Sequence, residues 1–252
     1  MKLCLGTVQM GLKYGIASQG QPDFQQSLKI FDAAVNGGVT AFDTAAAYGV
    51  AESILGSFLF QNPDARDKVV IAKKTPPKLY ENEKLEYKTL KKALLESLER
   101  LNCDFIDYYL LHNPKDIFDE KKVDFMYQLK SEGLVNNIGV SIYTSDEAMK
   151  ALSDERIDCI QIPYNIWDRR LEKCGFFIDN QFKKKTIFCR SVLLQGLLTM
   201  DVNSVPGKLA SARHHILRLD EICQKYQISR IELAISFVKT NEGIDYLIMG
   251  VD

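Results

Sequence analysis

Short runs rich in apolar and β-branched residues alternate with amphipathic stretches along the whole chain, with no Ser/Gly-rich linker or shift of composition between them. Eight runs read as strands: Lys2 to Gly6, Val39 to Asp43, Val69 to Lys74, Phe105 to Leu111, Asn137 to Ser141, Cys159 to Pro163, Thr186 to Arg190 and Tyr246 to Gly250. They are apolar nearly throughout, as expected of strands buried on both faces of a parallel sheet. Helices are predicted between them over Asp23 to Asn36, Glu52 to Phe60, Tyr87 to Leu101, Lys121 to Glu132 and Asp146 to Leu152, over an irregular stretch from Leu171 to Phe182, and over the pair Ala210 to Tyr226 and Arg230 to Thr240. In the third of these, Leu90, Leu94, Leu98 and Leu101 share one face while Lys91, Lys92, Glu96 and Glu99 lie elsewhere, which is the pattern of a helix covering a sheet. Asp23, Ser145, and Ser229 with Glu232 three residues on, offer side-chain oxygens to the free N–H groups of helix starts. Gly37-Gly38 and Gly133 are the matching stops.

Strict alternation of this kind predicts a single α/β domain over 1–252, its eight parallel strands closed into a (β/α)8, or TIM, barrel. An open doubly wound sheet is the alternative, and the absence of a GxGxxG turn after the first strand weighs against it. Only Val251 and Asp252 follow the eighth strand, so the barrel is expected to lack its final covering helix. An uncovered flank would expose apolar surface.

Composition narrows the picture. With 46% hydrophobic and 26% charged residues the chain can bury a sizeable core. Lys and Arg number 32 against 33 Asp and Glu, a net charge of −1, so no strong field draws it to nucleic acid or to an anionic membrane. No apolar run approaches the ~18 residues of a membrane span, and the first residues lack a signal-peptide pattern, so a cytoplasmic protein is expected. Six scattered cysteines show no CxxC or Cys/His ligand spacing; they read as reduced core residues, with no metal site. His214 and His215, on a predicted helix beside arginines, read as surface residues, and Lys183 to Lys185 as a solvated face. Trp167 fits a pocket wall and ordinary packing equally well.

In a barrel of this kind the loops after the strands carry the chemistry. Asp43 ends the second predicted strand, Tyr48 lies in the following loop, Lys74 ends the third strand and His112 follows the fourth. Each alone has an ordinary reading as a turn cap, a packed aromatic, a solvated strand end or a turn residue. Together at one mouth they make a coherent set. A phenol of pKa about 10 is a weak proton donor near neutrality; a Lys74 ammonium would lower that value, Asp43 would hold the lysine charged, and His112 could orient a carbonyl oxygen. No side chain in the set is a nucleophile for carbon, which points to hydride from a cofactor.

The segment FDTAAAYGVAESILGSFL (Phe42 to Leu59) resembles the signature of the aldo-keto reductases, with Asp43, Tyr48, Gly49, Glu52 and Gly56 at the family spacing. VVIAKK, DYYLLHNP, GLVNNIGVSIYT, IQIPYN and LLQGLL follow in the family's order. The resemblance spans essentially the whole chain. It implies a (β/α)8 barrel that binds a nicotinamide dinucleotide, usually NADPH with NADH also open, across the barrel mouth. It places the catalytic tetrad on Asp43, Tyr48, Lys74 and His112. Lys73 competes with Lys74, but strand alternation would point the two in opposite directions.

For the cofactor the resemblance points to Gly6 and Thr7 at the nicotinamide floor, to Asp43, to Ser141 and Gln161 at the carboxamide, and to Arg190, Ser191, Leu193 and Gly196 along the loop after the seventh strand. Ile142 stands where the family usually has asparagine. Arg190 stands where an aromatic ring often packs on the nicotinamide; its guanidinium could stack there or reach an anionic group of a substrate. The family's adenosine contacts lie in a segment after the eighth strand, so NADP against NAD preference is left open.

The expectation is an NAD(P)H-dependent oxidoreductase of a small aldehyde or ketone, with Tyr48 as general acid and base. A nucleotide-binding redox sensor or regulatory subunit with little turnover is the alternative, and a phosphosugar isomerase or aldolase using Lys74 as base or Schiff-base amine is a third. Neither the substrate nor the oligomeric state is fixed by the sequence.

Overall fold

In the computed structural model, which describes residues 1–16, 20–77 and 86–251, every strand pairs in parallel with its neighbour in sequence. The strands are β1 (Lys2–Gly6), β2 (Ala41–Ala45), β3 (Val70–Lys74), β4 (Ile106–Leu111), β5 (Val135–Ser141), β6 (Cys159–Pro163), β7 (Thr186–Arg190) and β8 (Tyr246–Met249). β8 pairs back onto β1, Lys2 against Tyr246, and the sheet closes into a barrel. The open-sheet alternative is thereby excluded. Around it run α1 (Val8–Gly11), α2 (Phe24–Asn36), α3 (Ala51–Gln61), α4 (Pro63–Arg66), α5 (Tyr87–Leu101), α6 (Glu120–Ser131), α7 (Ser145–Ser153), α8 (Arg170–Lys173), α9 (Phe176–Lys183), α10 (Arg213–Tyr226) and α11 (Arg230–Lys239).

Most boundaries follow from local chemistry. Asp23 and Ser229 each close a capping box, with Gln26 and Glu232 reaching back to the cap N–H. The third box sits on Thr144, one residue before the expected Ser145, because only Thr144 has a glutamate three residues on to complete it. β2 begins two residues later than expected, since the Val39 N–H bonds Ala34 O in the turn that ends α2, and it runs on to Ala45 through pairing with Lys74. The stretch from Leu171 resolves into α8 and α9, broken at Gly175, which is left-handed (φ 78°). Lys185 is a correction: it is buried, and its ammonium donates to the carbonyls of Asp154 and Ile157 at 2.6 and 2.5 Å. Those carbonyls end a helix and a turn on the face away from the mouth, where a buried cation satisfies oxygens that water cannot reach.

Strand alternation divides the side chains cleanly. Outward residues such as Phe42, Ile71, Tyr109, Ile138, Ile160 and Ile187 belong to the layer between sheet and helices. Inward residues fill the barrel, where small Cys4, Ala41, Ala72 and Cys159 leave room for Phe188, stacked on Tyr246 at 4.5 Å and 8°. On the β1 and β8 flank the outward Leu3 is 48% exposed, whereas the six outward residues just named are all below 1%. The exposure is confined to that end of the flank, since the outward Leu5 and Leu247 are buried, and among the described residues no helix follows Met249. Asp252 lies outside the described residues.

Candidate active site

The inward parity of each strand brings a polar residue to the C-terminal rim. Asp43, Lys74, Ser141, Gln161 and Arg190 all lie on inward positions, with His112 directly after β4. The Lys74 ammonium donates to both Asp43 oxygens at 2.6 and 2.7 Å, and both side chains are buried. Gln161 donates its amide N–H to Asp43 Oδ1 at 2.7 Å, and its carbonyl accepts from Ser141 at 3.3 Å. The two residues expected to hold a carboxamide therefore also buttress Asp43; one Gln161 N–H and the Ser141 oxygen remain to face a ligand.

Tyr48 is held by the turn between β2 and α3. Its N–H donates to Ala45 O at 2.9 Å, and its carbonyl accepts from Ala51 at 3.0 Å. Gly49 makes this turn possible: it is left-handed (φ 53°), and a Cβ there would sit 2.3 Å from Gly11 O. The Lys74 Nζ lies 5.2 Å from the centre of the Tyr48 ring, and His112 meets that ring edge-on at 6.4 Å.

Burial alone would push the Lys74 ammonium down, but the Asp43 carboxylate and the Tyr48 phenol hold it above its ordinary value, so it stays charged. Burial also pushes the Tyr48 phenol up, and Lys74 only partly opposes it. This corrects the expectation that Lys74 would bring Tyr48 below its usual value: desolvation of a buried phenolate outweighs the nearby cation. His112 is pushed down to about 4 by burial and by the Lys74 charge, so its imidazole is neutral near pH 7. Its Nδ1 is buried without a partner among the described residues.

These groups face one cavity of about 600 Å³. Of the residues assigned to catalysis and cofactor by resemblance, all line it except Thr7, which is fully buried and ties β1 to Asp43 by donating its N–H to Asp43 O at 2.9 Å. Thr7 is out of reach because the chain turns into α1 directly after it. That short helix brings Gln9 to the wall instead, a position the strand-and-helix pattern could not disclose. Tyr14, Tyr143, Gln195 and Ile231 were missed for the same reason: they lie on loops or on a helix flank. Trp167 is not on the wall; it packs against His215 and the cluster of Leu197, Val205 and Ile216. His214 and His215 are exposed as expected, though their rings lie together at 3.7 Å.

Lys73 faces outward, as alternation requires. Fully buried, it pairs with Glu52 of α3 at 3.2 Å and donates to the Lys74 carbonyl at 3.1 Å. Burial lowers it to about 8 against the pull of Glu52. Arg100 of α5 completes the pair by binding Glu52 at 2.7 and 2.8 Å. Gly56, one turn beyond Glu52, lets the two helices touch: a Cβ there would lie 2.0 Å from Arg100 O.

Eight parallel strands closed into a barrel, with helices between them and a cavity at the C-terminal rim, define the class as a (β/α)8 barrel. The chain belongs to the aldo/keto reductase family, whose model matches residues 2–252. It is similar to the aldo-keto reductase YhdN of Bacillus subtilis, 28% identical over 254 residues that cover 92% of this chain and 76% of that protein. It is 27% identical to the NADH-specific methylglyoxal reductase of Escherichia coli over 286 residues, 99% of this chain and 85% of that one. A shorter match, 30% identical over 53% of this chain and 51% of the relative, is to the 6-dehydroglucose reductase of Novosphingobium aromaticivorans. Among solved structures, that of PA4992 from Pseudomonas aeruginosa, assigned as an aldo-keto reductase, superposes with a TM-score of 0.72 at 23% identity, over 99% of this chain and 83% of that one, a likeness that bears on the fold. The protein is thus an NAD(P)H-dependent oxidoreductase acting on carbonyl compounds. Among its described residues no helix is long and apolar enough to cross a membrane.

Proposed function

We propose that this chain, acting as one barrel domain, reduces a small aldehyde or ketone to an alcohol, with Tyr48 delivering the proton. The observation that carries the proposal is the charged Lys74, clamped by Asp43 and set beside Tyr48 and a neutral His112 at one end of the cavity. When bound, NADPH or NADH supplies hydride for the carbonyl carbon. The neutral imidazole of His112 donates one hydrogen bond to the carbonyl oxygen and so turns it toward Tyr48. The Tyr48 O–H bond breaks as the alcohol O–H bond forms. The phenolate left behind sits beside the Lys74 ammonium, which stabilises it until a proton returns. Because burial keeps Tyr48 protonated through the neutral range, the lysine acts on this phenolate product. Positioned proton donation of this kind is worth ~10²- to 10⁴-fold.

The cavity suits a nicotinamide dinucleotide. Gly6 offers bare backbone, Ser141 and Gln161 keep one hydrogen-bonding group each, and the loop after β7 runs along the wall through Ser191, Leu193 and Gly196. In that loop Ser191, Leu194 and Gln195 are left-handed at φ 63°, 51° and 58°, a strain of ~1–3 kcal/mol each that structures keep where loop shape serves a ligand. The Schiff-base alternative, which relies on Lys74, finds no support, since an ion-paired ammonium has no free electron pair. Six free cysteines, three of them inside the barrel wall, suit a reducing cytoplasm.

Fluorescence titration with NADPH and NADH, followed by dinucleotide oxidation over a panel of small carbonyls, tests the proposal. Turnover of at least one panel member is expected. Binding of either dinucleotide with no turnover across the panel would instead support a redox sensor.

A further inference from the structure

Among the described residues lining the mouth, Arg190 is the one cation without a paired carboxylate. Among the described residues on the cavity wall, Asp43 is the sole carboxylate and it is held by Lys74; His112 is neutral; the other ionisable groups besides the two cations are tyrosines. Asp168, whose carboxylate feels Arg190, is gripped by Arg170 at 2.7 and 2.8 Å. Among the described residues no carboxylate lies within ion-pair distance of Arg190.

Its side chain is nevertheless built into place. From the end of β7 it spans the mouth of β6 and donates Nη2–H to the carbonyl of Ile142, just past β5, at 2.8 Å. Nη1 lies 3.2 Å from the Ser191 hydroxyl, and the guanidinium rests 4.4 Å from the centre of the Tyr143 ring. Tyr143 thus occupies a face of the guanidinium. Among the described residues two of its five N–H groups have protein acceptors and three do not. A half-buried guanidinium of fixed orientation, with unused donors and an uncancelled charge, is what planar oxyanions bind.

We propose that Arg190, positioned by Tyr143 and Ile142, is the anion-recognition group of this cavity, and that the preferred substrates are small carbonyl compounds carrying a carboxylate or phosphate. The proposal rests on the carbonyl-reducing reading. It gives that reading a substrate class, and assigns Arg190 to the substrate instead of to nicotinamide stacking.

The test compares 4-oxobutanoate with pentanal, and glyceraldehyde 3-phosphate with glyceraldehyde, in the wild-type chain, Arg190→Met and Arg190→Lys. Succinate and inorganic phosphate are titrated in parallel by calorimetry, and the dissociation constants of NADPH and NADH are measured for each variant. The expected result is a kcat/KM ratio favouring the anionic member of at least one pair by about 10- to 100-fold, the size of a charge-assisted hydrogen bond. Arg190→Met collapses that ratio, Arg190→Lys restores part of it, and the matching unreactive anion loses binding in step. The pair that responds says whether carboxylate or phosphate is the native group. An unchanged ratio in Arg190→Met with turnover intact overturns the proposal and leaves carbonyl reduction standing. So does an effect confined to dinucleotide affinity, which would return Arg190 to the cofactor. Absent turnover with succinate or phosphate binding still lost in Arg190→Met would sink carbonyl reduction and keep the anion site.

Discussion

Lys73 and Lys74 are chemically identical neighbours with opposite assignments. One residue of strand alternation puts Lys74 on Asp43 inside the barrel and Lys73 on Glu52 outside it. Lys74→Met is expected to lower kcat by 10²-fold or more, on the order of a lost acid–base residue, and Lys73→Met to leave it within a few-fold, checked in one steady-state assay. His112 yields a pH prediction. Its native value of about 4 lies below the ordinary 6.5, so the unfolded chain takes up a proton that the native state refuses between those values. This residue's share of stability is complete above pH 6.5 and is lost as pH falls toward 4. Urea midpoints at pH 7 and 4.5 should therefore fall further apart in wild type than in His112→Gln. The same residues mark how far the sequence could be read. Spacing set Asp43, Tyr48, Lys74 and His112 at one mouth, where the structure has them, because strand ends and signature intervals are local. The direction of the Tyr48 shift depends on how much protein surrounds the phenol, which no local interval encodes.

At the scale of elements, the signature segment joins chemistry to packing. β2 carries Asp43, the turn carries Tyr48, and α3 carries Glu52 and Gly56, which seat it on α5. Gly56→Ala would force a methyl group onto the Arg100 carbonyl and is expected to cost ~1–3 kcal/mol, as overpacking does, read from urea denaturation with an unchanged m-value. Asp23→Ala, which opens a capping box, should cost ~1 kcal/mol. Capping boxes are legible where the reading includes the partner residue: Ser229 pairs with Glu232 three residues on, whereas the start read at Ser145 falls one residue after Thr144, whose partner is Glu147. α1 stayed hidden because four residues hold too little periodicity, and with it Gln9 at the cavity wall.

Across the whole molecule, the period-2 strands and the helices between them specify a closed barrel, and inward parity converts eight separate strand ends into one site. Parity was legible, but the outer face of β1 is exposed only at Leu3 and is buried at Leu5. Leu3→Lys on that face should shift stability by no more than ~0.5 kcal/mol, whereas Ile71→Ala on the covered face should cost ~2–5 kcal/mol, both by chemical denaturation. The cavity's shape was not legible, since it is built from loops that meet only once the barrel has closed. The claim on which all of this converges is that Tyr48 delivers the proton to a bound carbonyl. Its most direct test is dinucleotide oxidation by Tyr48→Phe on a carbonyl that the wild type reduces, with dinucleotide affinity measured alongside. A fall in kcat of about 10²- to 10⁴-fold with affinity preserved is the predicted result; turnover equal to wild type would contradict it.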